Sequence, residues 1–369
     1  MLFLCDSTLA ERFGEREPDE DELQALENIA TSVREGNHLL TGHRTSLNIL
    51  STLSGLTLRA RGIYSKAGST VSEMGHITER IRPSVEVTTG HELSRVGSRI
   101  RVPLVHFVRM ESVRQTRLIA ESIDDAETLA LLGDAQAVRD GIAFVRVCSE
   151  VQDGGGSNTF RYIDRAQRSC SSFSLFIVDS DRICPDCRIG ETARRAIESL
   201  DDSCALVEVF VLPGREVENL LPVHILNLVA EEHTWLPEKV ERLRMLSEVR
   251  RDEARQHVDI KRGLLLSEVF DLPEDGKRFW LREFRALVQC GAFRSNGCEG
   301  EEVCLHQDDC RCVIASPLGD RVLEHVKNSL RRLSRHKLAE VRDLSVDAAI
   351  AEVGRLIYSW CCGSEPIRT

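Results

Sequence analysis

Between residues 116 and 212 the sequence alternates short apolar runs with longer segments of helical spacing. Short apolar runs indicate buried strands, and apolar residues recurring every three or four positions indicate helices. Four strands separated by three helices need crossover connections, which are right-handed and give a mostly parallel sheet covered on both faces. The predicted strands are 118–120, 142–148, 173–178 and 205–212, and the predicted helices are 126–138, 158–168 and 189–200. We therefore expect an α/β domain in this region.

Acidic residues follow two of the predicted strands directly. Glu121 comes after the first strand, and Asp125 lies four residues later, at the start of the next helix. Asp179 and Asp181 form an Asp-x-Asp after the third strand. Functional groups gather at the carboxyl ends of parallel strands, where several carboxylates repel one another unless a divalent ion lies among them. This spacing indicates a magnesium-type site, because hard cations prefer oxygen ligands. An Asp-x-Asp alone is a weak signal, since many strand ends contain one without a metal.

Two more segments follow strands of the same predicted sheet. The glycine run from Gly154 to Ser157 precedes a helix, so its backbone amides and the helix N-terminus are suited to contact a phosphate. The segment 215–220 reads Arg-Glu-Val-Glu-Asn-Leu and comes after the fourth strand. Acidic or phosphate-binding features thus occupy successive loops at one edge of the sheet, and this combination is stronger than any one of them.

The order of these features resembles the toprim domain of primases, topoisomerases and overcoming-lysogenisation-defect nucleases. The resemblance covers about residues 114–222, under a third of the chain. Glu121 corresponds to the family's invariant glutamate, and Asp179 and Asp181 correspond to its paired aspartates. Ser122 departs from the family, which often has glycine after that glutamate, and this puts the tightness of the turn in doubt.

The segment 215–220 is similar to the Arg-Glu-Ile-Glu-Asn segment of toprim nucleases found in bacterial anti-phage defence. In those proteins the second glutamate completes the metal site, which favours Glu218 over Glu216 here. The expected fold is therefore a toprim core, Rossmann-like with a mostly parallel four-stranded sheet, flanked by mainly helical N- and C-terminal regions.

The resemblance implies a nuclease that uses Mg²⁺ or Mn²⁺ to cleave phosphodiester bonds of DNA or RNA, acting as an effector in anti-phage defence. The expected catalytic residues are Glu121, Asp125, Asp179, Asp181 and Glu218, and all of these except Asp125 are expected metal ligands. Two ions roughly 4 Å apart would bind the attacking and leaving oxygens of the in-line displacement at the phosphodiester. The alternative, from another class, is a non-catalytic toprim-fold module that binds nucleic acid or regulates a partner.

Charge and missing motifs limit the expected partners. The net charge of −11 argues against electrostatic binding of nucleic acid along the whole chain. Any such binding must be local, as in the basic clusters at 80–117 and 327–337. Those clusters are equally well explained as solvated faces paired with acids. The sequence contains no Walker-type loop, so control by nucleotide hydrolysis would need a separate regulatory protein such as an ATPase. Self-assembly into a homo-oligomer is a further expected contact, and no membrane partner is expected because no apolar segment approaches a membrane span.

The remainder of the chain is expected to be mainly helical. The predicted helices are 19–35, 43–54, 59–81, 237–256, 277–289, 317–335 and 345–359, with one strand-like run at 102–108. A chain of 369 residues exceeds the size of one ordinary domain, since single cores stop growing near roughly 250 residues. The expected domains are a helical N-terminal region at 1–112, a toprim catalytic domain at 113–231, and a helical C-terminal region with a cysteine-rich loop at 232–369.

Thirteen cysteines are present, and no secretory signal is recognisable. They are best explained as reduced thiols or metal ligands in the cytoplasm, with disulfides less favoured. A structural Zn²⁺ is one interpretation of the Cys-x5-Cys-x5-Cys-x-Cys spacing of Cys298, Cys304, Cys310 and Cys312. Free thiols are the alternative, because this is not a standard zinc-finger spacing. Cys184 and Cys187 have a redox-like spacing without a thioredoxin pattern and are predicted to lie in a loop.

Overall fold

The computed structural model of the protein describes residues 1–201, 204–232, 237–249, 253–289 and 312–367. By their internal contacts the residues fall into two compact units. Unit 1 comprises Met1–Ile177, Ala196–Phe210 and Val353–Thr369, and unit 2 comprises Val178–Arg195 and Val211–Glu352. Each unit is assembled from separate stretches of the chain. The three-domain division expected from the sequence remains a prediction.

Unit 1 begins with a five-stranded sheet of order β2-β1-β3-β5-β4. Its strands are β1 (Leu2–Cys5), β2 (Leu39–Gly42), β3 (Ser84–Thr88), β4 (Ser94–Val96) and β5 (Arg99–Pro103). β1 runs parallel to β2 and β3, β3 runs parallel to β5, and only β4 pairs antiparallel. The expectation of a mainly helical N-terminal region misses this sheet, whose strands of three to five residues lie among longer helices with a clear period. The strand-like run at 102–108 is the end of β5 followed by a 3-10 turn, Leu104–Val108.

The helices of the N-terminal part agree with the sequence pattern. They are α1 (Ser7–Glu15), α2 (Glu20–Arg34), α3 (Arg44–Thr52) and α4 (Leu58–Arg80). Asp19 caps α2 in a capping box with Glu22, and Thr57 caps α4, so these two helices start where a side chain can satisfy their first amides. The predicted helices 19–35, 43–54 and 59–81 are confirmed.

The predicted four-stranded parallel sheet is present, in the order β10-β9-β6-β8. Its strands are β6 (Thr116–Ala120), β8 (Ser149–Asp153), β9 (Ser174–Val178) and β10 (Val207–Val211). The connecting helices are α5 (Ile123–Arg139), α6 (Thr159–Ser169) and α7 (Glu191–Glu198). β6 is parallel to both β8 and β9, with Ile119 opposite Gln152 on one side and Phe176 on the other. The expected α/β class is therefore confirmed.

The second predicted strand is misplaced along the chain. The sheet contains Ser149–Asp153 rather than 142–148. Ile142 and Val145 lie in a turn and are buried in a hydrophobic cluster with Leu2 and Tyr358, which explains their apolar character. Between them and β8, the two-residue strand β7 (Arg146–Val147) pairs antiparallel with β13 (Cys362–Gly363).

Unit 2 is mainly helical. Its helices include α8 (Val223–Glu232), α9 (Pro237–Val249), α10 (Glu253–His257), α11 (Leu266–Val269), α12 (Glu274–Gln289), α13 (Val322–Arg332) and α14 (Arg335–Glu340), and α15 (Asp347–Trp360) starts in it. The strands β11 (Leu264–Leu265) and β12 (Val313–Ala315) form a small antiparallel pair. The four helices predicted for the last third of the chain are found, with shifted ends. Across the described ranges no helix is long and apolar enough to cross a membrane.

Candidate functional site

The turn after β9 carries the predicted Asp-x-Asp, and its backbone is fixed within unit 2. Ser180 Oγ donates to the carbonyl of Gly214 at 2.7 Å, and the amide of Asp181 donates to the carbonyl of Arg215 at 3.0 Å. Asp181 has a φ of 53°, a left-handed conformation that few residues other than glycine adopt. Such local strain persists only where the surroundings impose it, and it concentrates at functional sites.

Gly190 is packed against the Asp181 side chain. A Cβ at Gly190 would lie 2.4 Å from Asp181 Oδ2 and 2.6 Å from Asp181 Cβ. The amide of Gly190 also donates to the carbonyl of Ser180 at 2.8 Å, which closes the loop between the aspartates and α7. Only glycine fits at this position without moving the Asp181 carboxylate. No sequence pattern indicated that Gly190 belongs to the site.

The segment after β10 is held by the buried side chain of Asn219. Its Oδ1 accepts from the amide of Glu216 at 2.9 Å, and its Nδ2 donates to the carbonyls of Arg255 and Val258 at 2.7 and 2.9 Å. These three hydrogen bonds anchor the segment to α10 and to the loop after it. Asn219 therefore positions the two glutamates, Glu216 and Glu218.

Lys261 lies between these glutamates, a placement that the sequence did not predict. Its Nζ is 3.1 Å from Glu218 Oε1 and 3.5 Å from Glu216 Oε2, and the Glu218 side chain is only 1% exposed. Burial alone would lower the pKa of Lys261, but the charges of Glu218, Glu216 and Asp179 outweigh it and raise the pKa above its ordinary value. The lysine is therefore protonated at neutral pH.

Arg215 and Asp259 complete the charged cluster. Arg215 Nη2 lies 3.2 Å from Asp259 Oδ2, and its Nε lies 3.6 Å from Glu216 Oε1. Burial raises the pKa of Asp181, and the positive charges of Arg215 and Lys261 oppose that effect. Burial likewise raises the pKa of Glu216, against the pull of Lys261. Unit 2 thus gathers Asp179, Asp181, Glu216 and Glu218 with two cations, and three of these acids were predicted site residues.

In unit 1, Glu121 is exposed and directly follows β6. Ser122 is the N-cap of α5, and its hydroxyl accepts from the amide of Asp125 at 3.2 Å. The buried carboxylate of Asp125 accepts from the amide of Ser122 at 2.8 Å, which completes a capping box. Serine at this position therefore starts the helix. Asp125 has a clear structural role, and its catalytic role remains a prediction.

The glycine loop of unit 1 has the backbone that its sequence suggests. Gly155 and Gly156 have φ of 73° and 54°, which favour glycine. The amide of Gly154 donates to the carbonyl of Ala120 at 2.7 Å, and the amide of Gly155 donates to Asp153 Oδ1 at 2.6 Å. Two amides of the predicted phosphate cradle are thus already bonded within the protein. The phosphate-binding role remains a prediction.

Carboxylate oxygens are the ligands that Mg²⁺ prefers, so the donor chemistry of the unit 2 cluster fits the expected ion. No group of three or more His, Cys, Asp or Glu side chains in the described ranges is arranged to hold a metal as it stands. Lys261 supplies the positive charge beside Glu216 and Glu218. A metal ion would therefore have to share these carboxylates with the lysine.

The cysteines differ in part from expectation. Cys184 and Cys187 form a disulfide in the loop after Asp181, whereas reduced thiols were expected. Their three-residue separation in a turn, with the amide of Cys187 donating to the carbonyl of Cys184 at 3.2 Å, brings the sulfurs together. Cys312 is a buried free thiol. The other three residues of the predicted zinc cluster, Cys298, Cys304 and Cys310, lie outside the described residues.

Comparison of the chain with protein-family models, curated proteins and solved structures found no match.

Proposed function

We propose that the protein is a metal-dependent nuclease and that its four-stranded parallel sheet is the core of a toprim domain. The observation that supports this most is the set of buried acids in unit 2. Glu218 is 1% exposed and Asp179 is 8% exposed, although burying ionised carboxylates is costly unless they are paired. Buried acids and bases collected after two strands of a parallel sheet are typical of functional sites.

In this proposal Asp179, Asp181 and Glu218 hold Mg²⁺ or Mn²⁺, and Glu121 is included as a ligand on the strength of the sequence alone. The ion would activate water and neutralise charge on a phosphodiester. Lys261 is protonated, so it serves as a fixed positive charge beside the carboxylates and an electrostatic partner for a phosphate. A protonated lysine is not a general base. The substrate class is a nucleic acid, DNA or RNA, and defence against phage remains the expected context.

A second candidate, from another class, is a toprim-fold module without catalysis. The ion pairs of Lys261 favour it, because a cluster whose acids already have an internal counter-charge is stable without a metal. In that case the carboxylates would maintain the structure of the segment after β10.

A cleavage panel separates the two candidates. The full chain is incubated with plasmid DNA, single-stranded DNA or transfer RNA, in Mg²⁺, Mn²⁺ or excess chelator, beside the variants Glu121→Gln and Asp186→Asn. Asp186 is an exposed acid outside the proposed ligand set and serves as the matched control. We expect metal-dependent cleavage that Asp186→Asn retains and Glu121→Gln loses. Cleavage by no preparation, or equal cleavage by all of them, favours the non-catalytic module.

A further inference from the structure

One face of the four-stranded sheet carries several polar residues beside the apolar Ile119 and Phe176, where a covered sheet is normally apolar throughout. Register places Arg117 of β6 beside Ser174 of β9 and Glu150 of β8, and side chains at such paired positions share one face of the sheet. Strands of a parallel sheet covered on both faces usually read as continuous hydrophobic runs. The polar residues here are therefore unexplained by packing.

A cavity of about 330 Å³ lies over this face, within unit 1. Its sheet side is lined by Arg117, Gln152, Ser174 and Phe176, and its helix side by Tyr162 and Arg165 of α6. The volume is within the range of small-molecule sites. Two arginines, the acid Glu111 and two aromatic rings thus line the same cavity.

Ser174 indicates that this cavity is a binding site. The side chain is 1% exposed, and its hydroxyl has no hydrogen-bond partner among the residues that the structure describes. A buried hydroxyl without a partner costs free energy, so buried polar groups are almost always satisfied. A ligand in the cavity that the serine lines would supply the missing partner.

Tyr162 and Arg165 give the cavity its ligand chemistry. The Tyr162 ring is 46% exposed, and a Cβ at Gly155 would come within 2.8 Å of its Cε2, so the glycine lets the ring rest against the loop backbone. Arg165 is exposed at the rim, while Arg117 Nη2 lies 3.5 Å from Glu111 Oε1. An exposed ring braced from one side is suited to stack on a planar heterocycle, and arginines are suited to phosphate.

We infer that this cavity binds a nucleotide unit, with the heterocycle against Tyr162, the phosphate beside Arg165 and Arg117, and a hydrogen bond to the Ser174 hydroxyl. The inference does not rest on the proposed metal site, because it uses none of its residues. The same chemistry is offered by a free mononucleotide and by one nucleotide of a single strand.

The test is equilibrium binding of the full chain, in excess chelator so that no cleavage occurs, to AMP, a ten-residue oligodeoxyadenylate and inorganic phosphate. Arg165→Ala is compared with Arg161→Ala, which removes an exposed arginine of the same helix that does not line the cavity. We expect saturable binding of AMP, of the oligonucleotide or of both, weakened about tenfold or more by Arg165→Ala and unchanged by Arg161→Ala. Tyr162→Leu should weaken binding of the nucleotide but not that of inorganic phosphate.

Binding of AMP assigns a free nucleotide as a ligand, and binding of the oligonucleotide alone assigns a strand; both results support the inference. The inference is overturned if neither ligand binds, if the two arginine variants weaken binding equally, or if phosphate binds as tightly as AMP. Asp179→Asn should leave this binding intact, which separates failure here from failure of the metal site.

Discussion

Replacing Lys261 with glutamine removes the positive charge that lies 3.1 Å from Glu218 Oε1 and 3.5 Å from Glu216 Oε2. Breaking a buried ion pair from one side costs roughly 3–5 kcal/mol, because the other charge stays buried without compensation. Glu218 is 1% exposed, but the Lys261 side chain is 31% exposed, so water screens part of the interaction. We therefore expect the lower end of the range, a loss of about 3 kcal/mol in the free energy of unfolding at pH 7.

The contribution of Lys261 to the stability of the fold depends on pH in a definite direction. The folded-state pKa of Lys261 is raised above 10.5, so its stabilising contribution is fully present below that pH and is lost only as the pH rises through the folded-state value. The variant lacks that contribution, so the difference in stability between the wild type and Lys261→Gln should persist from neutral pH up to that value and narrow only above it. Added Mg²⁺ should restore part of the lost stability if the carboxylates bind it.

The measurement is urea unfolding of the wild type, Lys261→Gln, Glu218→Gln and the double variant, with exposed Lys337→Gln as the matched control. The control should stay within about 0.5 kcal/mol of the wild type. The double variant should be more stable than Lys261→Gln, because the buried charge of Glu218 is removed together with its partner. A Lys261→Gln protein within about 0.5 kcal/mol of the wild type, or an equal loss in the Glu218→Gln background, would refute the reasoning.

Three further variants test other parts of the account. Gly190→Ala should displace the Asp181 carboxylate and strongly reduce cleavage at a stability cost of about 1–3 kcal/mol; unchanged cleavage would contradict the assignment. Asn219→Ala removes the side-chain hydrogen bonds to two backbone carbonyls and should cost about 1–3 kcal/mol in urea unfolding, whereas an unchanged midpoint would show that these bonds do not hold the segment. Burial lowers the pKa of His257 from 6.5 to about 4, so stability should fall by about 3 kcal/mol as the pH drops between these values, and His257→Gln should flatten that dependence.

The sequence predicted those helices and strands whose buried residues form a recognisable local pattern of apolar residues. β6, β9 and β10 were found as apolar runs, and most helices of both flanks were found by their period, although α1 and α8 were not predicted. β8 was placed too early because four of its five residues, Ser-Glu-Val-Gln-Asp, are polar, while Ile142 and Val145 are apolar for a different reason. The first sheet was missed because its strands lie among longer helices, whose period dominates the pattern of the N-terminal sequence.

The candidate site was predictable only where it follows strands. The two aspartates directly follow β9, so the alternation of strand and helix located them. Glu218 was chosen over Glu216 because the segment after β10 resembles that of toprim nucleases. Lys261 comes 43 residues after Glu218, and the fold alone brings them together. The need for glycine at position 190 was also invisible in the sequence, since it arises from the packing of the Asp181 side chain against Gly190. Asp125 completes the capping box of α5, a structural role that the sequence pattern did not separate from the predicted catalytic role, which remains a prediction.

The most direct test of the metal site is titration of the full chain with Mn²⁺, followed by electron paramagnetic resonance of the free ion. The wild type is compared with Asp179→Asn, Glu121→Gln and the control Asp186→Asn. The account predicts saturable binding that the control retains and that each of the other two variants weakens about tenfold or more. Absence of saturable binding in the wild type, or equal affinity in Asp179→Asn and Asp186→Asn, would contradict it.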